Sequence, residues 1–191
     1  MNEFLHALAL RESGNNYQAI NPNGYLGKYQ FGPQALQDLG YVVSTPNNVF
    51  GKYQFTGKDS IWSPHDLLFS PATQEKIVSE WITLLWNRIT SLGLDRFVGQ
   101  LYAGIEITPS GLIAAAHLGG VGGLKRFLEQ GVNPSDNLGT SISSYLATFS
   151  GIPITLPQHH PPNKEVPHDV AQENSAAGGL MSRIIETIRG L

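Results

Sequence analysis

The chain has 191 residues, a net charge of −3, no cysteine and 41% hydrophobic residues. The missing cysteine removes disulfides, thiolate metal sites and a cysteine nucleophile. The mild negative charge, with no basic stripe, argues against a nucleic-acid binder. No apolar run reaches the roughly 18 residues of a membrane span, and the composition suits one compact domain with a full core and a small appendage.

Residues 3 to 12 predict a short helix, with Asn2 as N-cap, Glu3 at the positive end and Ser13-Gly14 as the stop. Leu5, Leu8, Ala9 and Glu12 then share one face, spaced i, i+3, i+4 and i+7. Glu12 therefore ends an apolar stripe. Residues 14 to 32, with "NPNG" and three further glycines, predict a hairpin or irregular loop. Pro33 opens a second helix over "PQALQDLG". Residues 41 to 66 show no helical period and read as loop with short strands.

"SPATQEKIVSEWITLLWNRITSLG" is the strongest helical segment, capped by Ser70, entered through Pro71, and buried along Ile77, Val78, Trp81, Ile82 and Leu85. "LDRFVGQLYAG" predicts another helix. "TPSGLIAAAHLGG" starts one on a Thr108 cap with Pro109 behind it, and "VGGLKRFLEQG" and "TSISSYLATFSG" complete the set. The reading is a mainly α (α+β) domain over residues 1–151, helical with a small loop or hairpin region lining a cleft. Residues 152–179 follow as a Pro-rich linker and 180–191 as a C-terminal amphipathic helix. The pentapeptide "GKYQF" at 27–31 returns at 51–55. With no third copy it is not a solenoid, and local duplication of a loop is preferred over two copies sharing one function.

Glu12 is the first candidate for chemistry. At the end of an apolar stripe it is expected to be partly desolvated and to face the negative end of the helix dipole, which together favour the neutral acid. An acid that keeps its proton is what protonating a glycosidic oxygen requires. Pairing with Arg11 is the plainer alternative.

The surrounding motifs bear on that choice. "ESG" at 12–14, "GKYQF" at 27–31 and "AHLGG" at 116–120 resemble, in order, the catalytic "ES", the glycine-rich "GLMQ" and the "AYNAG"-like helix of the lysozyme-like superfamily of peptidoglycan-cleaving enzymes. That superfamily takes in lytic transglycosylases and phage-type or effector muramidases, and the resemblance spans roughly residues 3–150. It implies Glu12 as general acid and Ser13 holding the helix end and the carboxylate. It also implies Gln30 beside the cleft, its amide against an N-acetyl group or sugar hydroxyl, and His117 near Glu12 or the substrate, with a hydrogen-bonded core histidine as the alternative for His117. Tyr29 stands where the family has methionine and Leu118 where it has asparagine, so sugar contacts there do not carry over. Tyr25 and Tyr29 have ring faces suited to a pyranose, with ordinary loop packing as the alternative.

A phage-type muramidase pattern places an acid nine residues after the glutamate and a threonine six further on; Asn21 and Gly27 stand there instead. Asn21 keeps a role in orienting water or an acetamido group. Asp59, Asp66 and Glu106 are the other candidates for a second carboxylate, each also readable as a solvated surface acid. His159, His160, His168 and Asp169 lie in the Pro-rich segment, which fixes no ligand set, so no metal and no cofactor is expected.

The expected activity is cleavage of the β-1,4 bond between N-acetylmuramic acid and N-acetylglucosamine, by hydrolysis first and lytic transglycosylation second. A non-catalytic glycan-binding module and a structural tail or secretion component are the rivals. The expected partners are peptidoglycan glycan strands, with an immunity or inhibitor protein or a larger parent polypeptide. Action in the periplasm or cell wall would follow secretion or phage delivery, although "MNEFLHALALRESG" shows neither the basic region nor the cleavage site of a secretory leader.

Overall fold

A computed structural model describes residues 2–43, 53–135 and 139–156, all within one compact unit that spans 1–158. The expected helix over 180–191, nearly all of the expected linker and the tail histidines lie outside the described residues.

Helix α1 (Glu3–Ser13) begins where Asn2 accepts from the Phe4 amide at 3.1 Å. It ends on Gly14 at φ 64°, where the amides of Gly14 and Asn15 close back on Leu10 and Ala9. Phe4, Leu8 and Ala9 are fully buried, Leu5 is half-buried against the same core, and Glu12 is half-buried. The loop that follows is irregular but pinned. Leu26 and Phe31 exchange both backbone hydrogen bonds, and Leu26, Tyr29 and Phe31 face the core.

Helix α2 (Pro33–Asp38) leads into a two-residue strand β1 (Val42–Val43), paired antiparallel with β2 (Gln54–Phe55). Beyond it lies α3 (Pro64–Leu68), a helix the sequence reading passed over; Ser63 caps it by accepting from the Asp66 amide. Helix α4 (Pro71–Ser91) buries the predicted stripe of Ile77, Val78, Trp81, Ile82 and Leu85, with Gln74, Trp86 and Ile89 beside it. Each fully buried aliphatic side chain of the stripe contributes about 1.5–3 kcal/mol. Ser70 sits at the N-cap position without a capping bond from its side chain.

The expected helix over "LDRFVGQLYAG" is absent. A single 3-10 turn, Leu94–Phe97, gives way to a hairpin of β3 (Leu101–Tyr102) and β4 (Ile105–Glu106). Ala103 and Gly104 turn it with φ of 50° and 78°, the two positive values that a tight two-residue hairpin needs. Gly93 before the turn and Gly99 beyond it take positive φ, and only Leu94 of the segment is fully buried, too little apolar face to hold a helix.

Helix α5 (Pro109–Gln130) starts on the predicted Thr108 cap and is broken at Gly120, φ 69° and ψ 163°, a conformation essentially confined to glycine. Helix α6 (Ile142–Phe149) packs on α5 as α4 does. The contact with α6 is close: a Cβ on Gly119 would stand 2.5 Å from Cδ1 of Ile142. Ile152, Ile154 and Leu156 still lie against the core, so the packed part runs past Gly151. The result is a mainly α domain with two small antiparallel hairpins.

Candidate active site

The C-terminal turn of α1 is tied to the 27–31 loop by Ser13, whose hydroxyl donates to the Lys28 carbonyl at 2.8 Å and accepts from the Asn16 amide at 3.0 Å. That bond fixes the backbone on which Glu12 stands. The Glu12 side chain is 13% exposed. Its Oε1 accepts from the Tyr145 hydroxyl at 2.7 Å and stands 3.7 Å from Nε2 of His117. Burial, then the adjacent Glu12 carboxylate, push the Tyr145 phenol well above its ordinary range, so Tyr145 stays a donor. Arg11 does not pair with Glu12; its guanidinium lies over the Tyr145 ring, 5.6 Å from the centroid.

His117 sits on α5 just before the break at Gly120. Nδ1 of His117 accepts from the indole N–H of Trp81 at 3.0 Å. Both side chains line a cleft of about 240 Å³ together with Tyr25, Gln30, Gln34 and Gly120, and among the described residues no Asp, Glu, Lys or Arg lines it. Glu12 is not in its wall but beside His117, which is. Gln30 is 7% exposed at φ 48°, with its amide N–H donating to the Gly27 carbonyl at 2.8 Å. The Tyr25 ring lies over Gly32, where a Cβ would come within 2.5 Å of it.

The structure thus brings Glu12, His117, Gln30 and Tyr25 into one neighbourhood and treats the other candidates differently. Tyr29 cannot stack on a sugar. It is 1% exposed and its hydroxyl donates to Glu75 at 2.8 Å, because the loop turns it inward at Gly27. Asn21 uses its Oδ1 on the Asn23 and Tyr25 amides, at 2.9 and 3.0 Å, and shapes the turn rather than the cleft. Ser13 likewise spends its hydroxyl on backbone groups.

None of the three further acids lines the cleft. Asp59 pairs with Lys76 at 2.6 Å and accepts from Tyr41, bonds that hold its carboxyl below the ordinary range. Asp66 accepts from the Trp62 amide at 3.0 Å and is held low by that bond. Glu106 is exposed on β4. Among the described residues no group of His, Asp and Glu is placed to hold a metal ion.

Both copies of "GKYQF" support this wall from behind. In the first, the buried Gln74 amide accepts from the Lys28 N–H at 2.8 Å and donates to the Tyr17 and Leu67 carbonyls. Lys28 pairs with Glu75 at 2.7 Å. In the second, Gly51 and Lys52 lie outside the described residues. The Tyr53 hydroxyl donates to the Gly24 carbonyl at 2.7 Å, behind Tyr25. Burial, then the nearness of Tyr25, push the Tyr53 phenol up to about 12. Tyr29 and Phe31 have ring centroids 5.9 Å apart at 46°, and Tyr53 and Phe55 repeat those values.

Two site residues escaped the sequence reading. Trp81 was legible only as core on the α4 stripe, and Tyr145 only as part of a helix, 133 positions from the carboxylate it binds. No protein-family model, curated protein or solved structure matches the chain.

Proposed function

We propose that the chain is a lysozyme-like enzyme that cleaves the β-1,4 bond between N-acetylmuramic acid and N-acetylglucosamine in peptidoglycan, with Glu12 as general acid. The observation that carries this reading is the setting of Glu12: 13% exposed, bonded by Tyr145 at 2.7 Å and 3.7 Å from a histidine of an uncharged cleft. A carboxyl that is shielded yet reachable can hand a proton to a leaving oxygen. Among the polar groups of the cleft wall, His117 presents Nε2 and Gln30 its side-chain amide. That pair matches the carbonyl and N–H of an acetamido group. Tyr25 supplies an aromatic face beside them.

In this reading Glu12 protonates the glycosidic oxygen as the C1–O bond breaks. In hydrolysis, water adds to C1 and its proton returns to Glu12. A second reading, lytic transglycosylation, is favoured by one specific observation: among the described residues no second carboxylate stands beside Glu12 or lines the cleft, so Glu12 would work alone as acid and then base. The C6 hydroxyl of the same muramoyl residue would then attack C1, yielding a 1,6-anhydro end. Delivery to the periplasm or cell wall, and an immunity or inhibitor protein as partner, belong to the same proposal.

Mass spectrometry of the soluble products from purified peptidoglycan tests it. Reducing muropeptides support the muramidase and anhydro-muropeptides the transglycosylase. Retention on peptidoglycan without any product would replace both with a glycan-binding module.

A further inference from the structure

We propose that Trp81 is a positioning residue that locks His117 in its Nε2–H tautomer, so that the ring offers the cleft a hydrogen-bond donor beside Glu12 and no base. The inference deepens the reading of the same site and rests on it for its functional half. Its structural half stands alone.

A neutral imidazole carries one N–H and one lone pair, and an indole N–H can only donate. The Trp81 N–H reaches Nδ1 of His117 at 3.0 Å, so the lone pair is on Nδ1 and the proton on Nε2. Neither partner can turn to water for relief, since Trp81 is 6% exposed and the His117 side chain 7%. Flipping the imidazole would replace Nδ1 by a carbon and leave the buried indole N–H unpaired. The mounts are rigid as well. Trp81 belongs to the buried stripe of α4, and His117 follows Ala114, Ala115 and Ala116, all fully buried on α5.

The groups that face His117 are Trp81 from α4 and Glu12 from α1, with Tyr145 of α6 behind Glu12. The 3.7 Å from Nε2 to Glu12 is too long for a hydrogen bond. The donor therefore stands in the cleft wall without a bond to Glu12, and an oxygen of bound glycan is what it would engage. With Nδ1 occupied and Nε2 protonated, His117 cannot take a proton from water at either nitrogen. The second group of the reaction is then a donor that orients substrate, not a general base.

The test is nitrogen NMR on the full chain labelled in tryptophan and histidine. The expected result is a scalar coupling across the N–H···N bond between Trp81 and His117, with the imidazole proton on Nε2. Both are lost in Trp81→Phe. No coupling in the wild type, or a proton on Nδ1, overturns the proposal, and because the wild-type spectrum decides this, an unfolded variant does not blunt the test.

The functional half is read from a double-mutant cycle on muropeptide release. Trp81→Phe is expected to lower turnover at least tenfold in the wild-type background and to have no further effect in His117→Ala. An equal loss in both backgrounds would make Trp81 merely structural. If the wild type releases no product, the muramidase reading falls, whereas the coupling still decides the tautomer.

Discussion

The hydroxyl of Tyr145 donates a 2.7 Å hydrogen bond to Oε1 of Glu12 and so joins the last helix of the domain to the end of the first. Tyr145 is 4% exposed and packs its ring on Phe149, so it has little freedom to release the carboxylate. Tyr145→Phe keeps the ring and removes only the donor. We expect urea unfolding to show a loss of about 0.5–1.5 kcal/mol, the net worth of a typical hydrogen bond. Product release should fall with it. Unchanged stability and turnover would mean that the bond does not form in solution.

The two tyrosines of the loop should separate cleanly. Tyr25 lines the cleft and is half-buried, whereas Tyr29 is 1% exposed. Tyr25→Ala is expected to weaken binding of soluble glycan fragments by about tenfold at near-native stability. Tyr29→Ala is expected to cost about 3–5 kcal/mol, as for other large core aromatics. Calorimetric titration and thermal melts on the two variants check this, and equal losses of binding at equal stability would contradict it.

Gly27 is required twice over, by its φ of 77° and by Gln74, whose Oε1 would lie 2.2 Å from a Cβ there. Gly14 shares the positive φ, at 64°, but has open space around it. Gly14→Ala should cost about 1 kcal/mol, the backbone penalty alone. Gly27→Ala should cost clearly more, about 2–4 kcal/mol, because Gln74 must give up bonds to the loop. Urea midpoints of the two variants give the comparison.

Burial disfavours the Glu75 carboxylate, but hydrogen bonds from Lys28, Tyr17 and Tyr29 outweigh it and hold the group below its ordinary value near 4.5. Burial likewise opposes the Lys28 charge, but its bonds with Glu75, Tyr29 and Tyr17 together outweigh burial and raise that group above 10.5. A carboxyl lowered on folding stabilises above its unfolded value and loses that contribution as pH falls through the folded one. A raised lysine stabilises below its unfolded value and loses that contribution as pH rises through the folded one. The pair therefore supports the loop between about pH 4.5 and 10.5. Glu75→Gln should flatten the acid side of the stability profile, measured by thermal melts from pH 3 to 6, and an unaltered acid limb would contradict this.

Much of the scaffold was legible because it is local. Helix α1 has its Asn2 cap and its glycine stop, helix α4 its entry proline and one apolar face, and the sequence displays each of these. The hairpin at 101–106 was not legible, since strands of two residues are too short to show alternation. Glu12, Gln30 and His117 were nominated by their motifs. Their company was not, because Tyr145 and Trp81 come from helices whose sequence spacing to Glu12 carries no information. Tyr29 misled for a related reason: which tyrosine of a loop faces inward depends on the turn at Gly27 and on Gln74 of α4, 46 positions from Lys28.

The central claim is that Glu12 supplies the proton. Glu12→Gln keeps the size of the side chain and an oxygen for the Tyr145 hydroxyl while removing the acid. The measurement is the initial rate of soluble muropeptide release from purified peptidoglycan, wild type against Glu12→Gln, at matched unfolding midpoints. The account predicts a loss of about 10²-fold or more, in the range of a general acid. Equal rates from the two proteins would contradict it.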